Sequence, residues 1–236
     1  MSMIYLVRHG QASFGHDNYD RISDTGIVQS RMLGEYLAGT GMRFDSAYTG
    51  PLSRQKATAD EVAGCFKKKG LPFPDVSVMK EFNEYDPVAV LTSQIPHVLE
   101  DEPSLKIDIE NIFADKEAFK QVFEKALLKW VSGRHDAPGV ETWGSLVSRV
   151  KNGMETIMKA GGRGKTIVVF TSGGPIAAAL QTFLGLSNEN AIRLNWQIIN
   201  ASMTRFMYNE ERITLAGFNA ICHLELNGGN TLITYR

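Results

Sequence analysis

Apolar positions in this chain alternate between continuous short runs and helical spacing, and their order predicts the elements. Residues 3–7 form an apolar run that stops at Arg8-His9-Gly10, the pattern of a strand buried on both faces and ended by a glycine turn. Val28, Met32, Leu33, Tyr36 and Leu37 follow at helical spacing, with Ser23 or Asp24 as cap and Gly39 and Gly41 as the stop. A second strand over 46–49 leads through Gly50-Pro51 into a helix whose apolar side is Ala59, Val62, Ala63 and Phe66. That helix closes on Lys67-Lys68-Lys69-Gly70, where cations complement the helix dipole, so the lysine run reads as a terminus and not as a binding patch. Residues 76–79 predict a third strand, and 85 to about 110, with Pro87, Pro96 and Pro103, predict an irregular excursion over the sheet. Phe119, Val122, Phe123, Ala126, Leu127 and Trp130 mark one amphipathic helix; Trp143, Leu146, Val147, Val150, Met154, Ile157 and Met158 mark another. The strand at 166–170 runs through Thr171-Ser172-Gly173-Gly174 into a helix with Pro175 at its first position, continuing over Ile176, Leu180, Phe183 and Leu184 to Gly185. Beyond Ser202 the pattern turns to hairpins: 203–208 and 213–218 around Asn209-Glu210-Glu211, then 231–235 after Asn227-Gly228-Gly229.

Strands alternating with helices argue an α/β three-layer sandwich: a mostly parallel central sheet, helices on both faces, an inserted helical cap at about 86–135, and antiparallel strands from the C-terminal part. We expect residues 1–236 to make a single domain. At 236 residues, 43% hydrophobic and 22% charged, the chain is long enough to bury a substantial core. With 25 Lys+Arg against 26 Asp+Glu there is no basic excess to neutralise a phosphate polymer, which argues against a nucleic-acid partner. Cys65 and Cys222 are too few for a disulfide framework and lack metal-site spacing, so both are expected to be buried thiols in a reducing, cytoplasmic compartment. Neither a signal peptide nor a membrane span is expected, since no apolar run approaches the length needed. Oligomeric state has no sequence signal.

In an open α/β sheet the ligand site lies beyond the carboxyl ends of the strands. That rule selects Arg8-His9-Gly10, Arg54 in the first turn of its helix, Glu81 and Glu84, and Ser172-Gly173-Gly174. Arginine forks and a glycine-lined helix start both suit a phosphate. Arg54 opposes its own helix dipole there, which calls for an anion nearby. Arg8-His9-Gly10-Gln11-Ala12, the element Gly50-Pro51-Leu52-Ser53-Arg54 with Ala57-Thr58-Ala59, and Phe82-Asn83-Glu84 resemble the histidine phosphatase superfamily, the phosphoglycerate-mutase-like fold. Pro138-Gly139-Val140-Glu141-Thr142-Trp143 with Arg149, and Asn219 with His223-Leu224, extend the resemblance over nearly the whole chain apart from about 86–135.

What the resemblance implies is two-step phosphoryl transfer through a phosphohistidine on His9, acting on a small soluble phosphate ester. Arg8 and Arg54 would hold the non-bridging oxygens, and Glu84, with Glu81 as the competing carboxylate, would protonate the leaving alkoxide. Gly10, Gln11, Ser13, Ser172 and Gly173 would line the phosphate and substrate. No metal or cofactor is implied, because the arginines supply the charge. One departure stands out: the family's second active-site histidine, in a Ser-His-Gly-Gly turn, is replaced by Ser172 in Thr171-Ser172-Gly173-Gly174. A neutral hydroxyl in place of a charged donor slows the reaction by about one to two orders of magnitude, and Ser172→His is then expected to speed it. His223 is the candidate for supplying the missing charge.

Other readings compete. A phosphoglycerate-type mutase needs a cationic grip from the cap, where 86–135 holds no convincing cluster. A serine hydrolase would use Ser172 as a nucleophile elbow, yet the first glycine of that motif is Phe170. A non-catalytic phosphate binder would have lost turnover with the second histidine. Three decoys are set aside: Gly161 to Thr166 imitates a P-loop but joins helix to strand, with Lys159 where the first glycine belongs; Arg134-His135-Asp136 falls in a loop; and His97 and His16 are single histidines in polar loops, His16 near enough to the first turn to line a rim.

Overall fold

The computed structural model describes residues 1–13, 20–103, 116–209, 212–227 and 229–235, without the side chains of 116–121, 227 and 229. His16, residues 104–115 of the cap, Phe119's side chain and parts of the turns at 209–211 and 227–229 lie outside the described residues.

Six strands form one sheet: β1 (Ser2–Arg8), β2 (Ser46–Thr49), β3 (Val76–Val78), β4 (Thr166–Thr171), β5 (Met203–Tyr208) and β6 (Ile213–Ala220), in the order β3-β2-β4-β1-β5-β6. The β3-β2-β4-β1 part is parallel, and β5 and β6 add antiparallel to it, as the element order predicts. Why residues 3–7 of β1 and 167–170 of β4 are apolar is clear from the two cores. Ile4, Leu6, Ile167 and Val169 point to one face, and Tyr5, Val7, Val168 and Phe170 to the other. The first face is covered by α5 (Trp143–Gly161) and α6 (Gly173–Leu184), through Leu146, Val150, Met154 and Ile176. Leu33 and Leu37 of α1 (Asp24–Gly39), with Ala59, Val62 and Phe66 of α2 (Ser53–Lys68), cover the second.

Several elements differ from the sequence expectation. In α1, Ser23 caps the helix by accepting from Gly26 N at 3.0 Å, but the helix is rotated: Val28 is 40% exposed while Gln29 and Ser30 are buried. The irregular excursion contains a 15-residue helix, α3 (Pro87–Asp101). Asp86 accepts from Val88 N and Ala89 N, and Pro87 sits where no N–H is needed, so these residues start a helix and do not break one. Pro96 is tolerated inside it because Val90, Leu91, Ile95 and Val98 are buried, most of them against Val122 and Ala126 of α4 (Lys116–Ser132). His97 accordingly lies on a helix and not in a loop.

Pro175 is the third residue of α6, with Ser172 at the N-cap. Two short helices, α7 (Asn188–Asn195) and α8 (Cys222–Asn227), have no strong sequence pattern; α7 buries only Ala191 and Ile192. Residues 231–235 are not a strand. A 3-10 turn over Gly229–Leu232 leads into a segment whose carbonyls are taken by Gln29, Asn200 and Arg8 instead of a neighbouring strand. Cys65 is buried as expected, whereas Cys222 is exposed. The segment around Gly162 and Gly164 is a helix-to-strand turn with both glycines at positive φ, and no described helix is long and apolar enough to cross a membrane.

His223 lies on α8 with no exposure, tilted against the Tyr36 ring at 6.1 Å. Burial lowers its pKa from 6.5 to about 4, partly offset by a backbone hydrogen bond with Ala201. Between those values the unfolded chain binds the proton and the folded chain does not, so stability falls as pH falls through that window. Urea unfolding at pH 7 and pH 5 is expected to cost the wild type about 2 kcal/mol more than His223→Gln. An equal loss in both proteins would mean that His223 is protonated in the fold.

Candidate active site

The carboxyl ends of β1, β2 and β4 open toward one crevice, and His9 stands directly after β1 with only 4% of its surface exposed. Its Nδ1 is 2.7 Å from the Gly10 carbonyl oxygen. A carbonyl can only accept, so Nδ1 carries the proton and Nε2 presents a lone pair. Arg54 Nε donates to that lone pair at 3.1 Å. Burial, then the charges of Arg54 and Arg8, hold His9 well below the ordinary histidine pKa. The imidazole is therefore neutral, with a fixed tautomer and one nucleophilic nitrogen.

Arg54 is 5% exposed in the first turn of α2, and the anion that its placement calls for is Asp20. One Asp20 oxygen accepts from Arg54 Nη1 at 3.1 Å and the other from Ser53 N at 2.8 Å, so a single carboxylate balances the guanidinium and caps the helix start. Only the opposing dipole at Arg54 hints at Asp20 in the sequence. Arg8 donates from Nη1 to the Ile198 carbonyl and from Nη2 to that of Tyr235 at 2.8 Å. Its guanidinium thus ties two backbone segments together while its charge still acts on His9 and Glu84.

Of the two candidate carboxylates, Glu84 faces the crevice. Its Oε2 accepts from Gly174 N at 3.2 Å, at the start of α6, and its Oε1 from Tyr85 N at 3.1 Å. Burial raises its pKa above the usual carboxylate value, against the opposing pull of the Gly174 N–H, Arg54, the Tyr85 N–H and Arg8. Gly174 must be glycine for this approach, because a Cβ there would collide with Glu84 Oε1. Glu81 instead lays its Cβ near Gly153 of α5. Arg149 holds this turn: Nη1 donates to the carbonyls of Glu81 and Asn83 at 2.8 Å each, while Nε and Nη2 grip Glu141 at 2.5 and 2.9 Å.

Other expected positions have defined places. Gly10 N donates to Thr58 Oγ1 at 3.0 Å and Gln11 N to Gln29 Oε1 at 2.8 Å, so both backbone donors are already engaged. Gly10 is needed for packing, since a Cβ would strike the Gly26 carbonyl of α1. Gln11 Oε1 accepts from Ser23 Oγ, and Ser13 N donates to the Arg21 carbonyl. Gly173 packs against Asn195, and Ser172 is fully buried, its Oγ accepting from Gln55 Nε2 at 2.8 Å. The neutral His223 supplies no positive charge to the crevice. Asn200 carries no motif, yet its Nδ2 and the Ala201 N–H both donate to the His9 carbonyl, at 3.2 Å each. Thr234 Oγ1 donates in turn to Asn200 Oδ1 at 3.0 Å. Among the described residues no group of three His, Cys, Asp or Glu converges to hold a metal ion.

The model of the histidine phosphatase superfamily (branch 1) matches residues 4–104 and 110–221. A 2,3-bisphosphoglycerate-dependent phosphoglycerate mutase from Bradyrhizobium diazoefficiens is 34% identical over 76 residues, 30% of this chain and 37% of that protein. The matched stretch thus spans about a third of the curated relatives' length. Among solved structures, a phosphoserine phosphatase mutant from Entamoeba histolytica in complex with phosphoserine superposes with a TM-score of 0.62 at 20% identity, covering 95% of this chain and 100% of that one. A phosphoglycerate mutase from Bacillus anthracis gives 0.65 at 15% identity, covering 95% of each chain. These structural likenesses extend the fold over nearly the whole chain.

Removing the arginine clamp tests how Glu84 is held. Arg149→Met leaves two carbonyls and Glu141 without their partner, an expected loss of about 1–3 kcal/mol and about 3–10 °C in melting temperature. Glu81→Ala keeps the carbonyl and is expected to stay within about 0.5 kcal/mol of wild type. Thermal unfolding checks both, and equal losses would contradict the clamp.

Proposed function

Because the chain belongs to the histidine phosphatase superfamily (branch 1), we propose that it is a phosphomonoesterase acting on a small soluble phosphate ester through a phosphohistidine on His9. The observation that carries this reading is the fixed tautomer of His9, which leaves Nε2 as a neutral nucleophile facing the Arg54 guanidinium. In the first step Nε2 attacks phosphorus in line, the P–O bond to the alcohol breaks, and the alkoxide takes a proton from Glu84. Arg54 Nε moves from the imidazole lone pair to a phosphoryl oxygen as that lone pair forms the P–N bond. Arg8 adds positive charge nearby. In the second step Glu84, now a carboxylate, takes a proton from water as the water attacks phosphorus and the P–N bond breaks. Inorganic phosphate leaves, and both residues return to their starting protonation states.

Two features weigh against the competing readings, the first against the mutase and the second against the serine hydrolase. Lys125 and Lys129 of the cap are bound to Glu102 and Asp101, so these cations are already engaged in ion pairs. Ser172, the candidate nucleophile of the serine-hydrolase reading, bonds an amide and not a general base.

Purified protein with chelator present is expected to hydrolyse p-nitrophenyl phosphate, and His9→Ala is expected to fall to the buffer rate; a variant as fast as wild type would sink the mechanism. Glu84→Gln is expected to lose about 10²- to 10⁴-fold on an alkyl phosphate and far less on p-nitrophenyl phosphate, whose leaving group needs little protonation. In a pH profile of kcat/KM, the lowered His9 pKa keeps the nucleophile neutral, so activity persists below the 6.5 of an ordinary histidine. The raised pKa of Glu84 moves the alkaline fall above the ordinary carboxylate range. An acid limb centred at the ordinary histidine value would contradict the burial of His9.

A further inference from the structure

We propose that Gln55 and Ser172 act as one unit: the Gln55 amide fills the room an imidazole would need at position 172 and orients the Ser172 hydroxyl as a donor to a phosphoryl group held at His9. The proposal rests on the phosphoryl-transfer reading and extends it to two residues of this chain.

Gln55 follows Arg54 on α2 and has no exposure. Its side chain is held at both ends. Oε1 accepts from Leu52 N at 3.1 Å, and Nε2 donates both its hydrogens, to the Phe82 carbonyl at 3.2 Å and to Ser172 Oγ at 2.8 Å. Gly50 is shaped around it, since a Cβ there would collide with Gln55 Oε1. Such an arrangement is built for a glutamine and has no freedom to turn away. Ser172 is equally buried, and the Gln55 amide is its only side-chain hydrogen-bond partner among the described residues.

Because Ser172 Oγ accepts from an amide that can only donate, its own proton remains to be given elsewhere. Ser172 follows β4 at the point where Thr171 pairs with Arg8 and its carbonyl accepts from His9 N at 2.8 Å. Its hydroxyl therefore sits one strand away from the nucleophile, and the amide bond polarises it for donation. Gln55 is a positioning residue in this scheme, and Ser172 the group that touches the phosphoryl oxygen. An imidazole grown from the same Cβ would extend into the space Gln55 occupies, so Ser172→His alone is expected to disturb packing and not to speed the reaction.

A double-mutant cycle tests the unit. Orthovanadate affinity is measured for wild type, Gln55→Ala, Ser172→Ala and the double variant. Gln55→Ala is expected to weaken binding about tenfold in the wild-type background and less than about twofold where Ser172 is already alanine. Equal factors in both backgrounds overturn the coupling. Melting temperature and turnover are then compared for Ser172→His and for Gln55→Ala combined with Ser172→His. The single variant is expected to melt lower and turn over more slowly than wild type, and the combination to recover both. A Ser172→His protein as stable as wild type overturns the packing half of the proposal. Failure of wild type itself to bind vanadate would refute the phosphate-site reading beneath the proposal, a result distinct from an uncoupled cycle in a protein that binds.

Discussion

A guanidinium buried at the positive end of a helix dictates the chemistry of this crevice. Arg54 stands in the first turn of α2, nearly without exposure, where both desolvation and the helix dipole oppose it. A charge so placed must be answered, and three groups answer it differently. Asp20 balances it as a carboxylate that also caps the helix. His9, kept neutral first by its burial and then by this charge, offers it a lone pair. Glu84 feels it as a pull toward ionisation that burial outweighs. The countercharge follows from that one costly placement, whereas the neutral imidazole and the raised carboxyl owe most to their own burial.

Holding that arrangement requires rigid backbone, which comes from polar side chains bonded to carbonyls. Arg149 fixes the turn before Glu84, Arg8 joins the carbonyls of Ile198 and Tyr235, and Asn200 steadies the His9 carbonyl. Residues 232–235 belong to this frame, because their backbone acceptors satisfy Gln29, Asn200 N and Arg8. Close approach matters as much. Gly10 lets β1's turn touch α1, and Gly174 lets Glu84 reach the start of α6.

How much of this was legible follows from range. Strands buried on both faces and helices with wide apolar stripes announce themselves locally, and β1, β4, α2 and α5 match their patterns closely. His9 was legible because it follows such a strand and Arg54 because it opens such a helix, whereas Glu84 and Glu81 near the half-exposed β3 were not told apart. Illegible were features set by partners distant in sequence: Gln29 and Ser30 turned inward because of the turn at Gly10 and Gln11, and 231–235 were denied a ladder by side chains more than two hundred residues away. Proline misled at α3, where Asp86-Pro87 is a start signal and three prolines together suggested none. Asp20 and Asn200 bear no motif at all, since their value lies wholly in what they face.

Ser172 raises a question of charge that the hydroxyl alone cannot answer. A phosphate dianion entering beside His9 meets Arg54 and Arg8, but Asp20 already neutralises part of that charge. A protonated histidine at position 172 would restore the balance; a serine and an amide contribute only dipoles. Dipoles fixed in a dry site nevertheless act without reorganising, and the Gln55–Ser172 pair is fixed by Leu52 N at the cap of α2 and by the Phe82 carbonyl. Asp20 is the group with room to yield, being about a third exposed where Arg54 is almost wholly buried. An incoming phosphate would then compete with Asp20 for Arg54 Nη1, while the other carboxylate oxygen keeps its bond from Ser53 N. Giving up Asp20 would then free charge on Arg54 for a phosphate, an exchange that costs the carboxylate less than it would cost the buried guanidinium because Asp20 is the more exposed of the two.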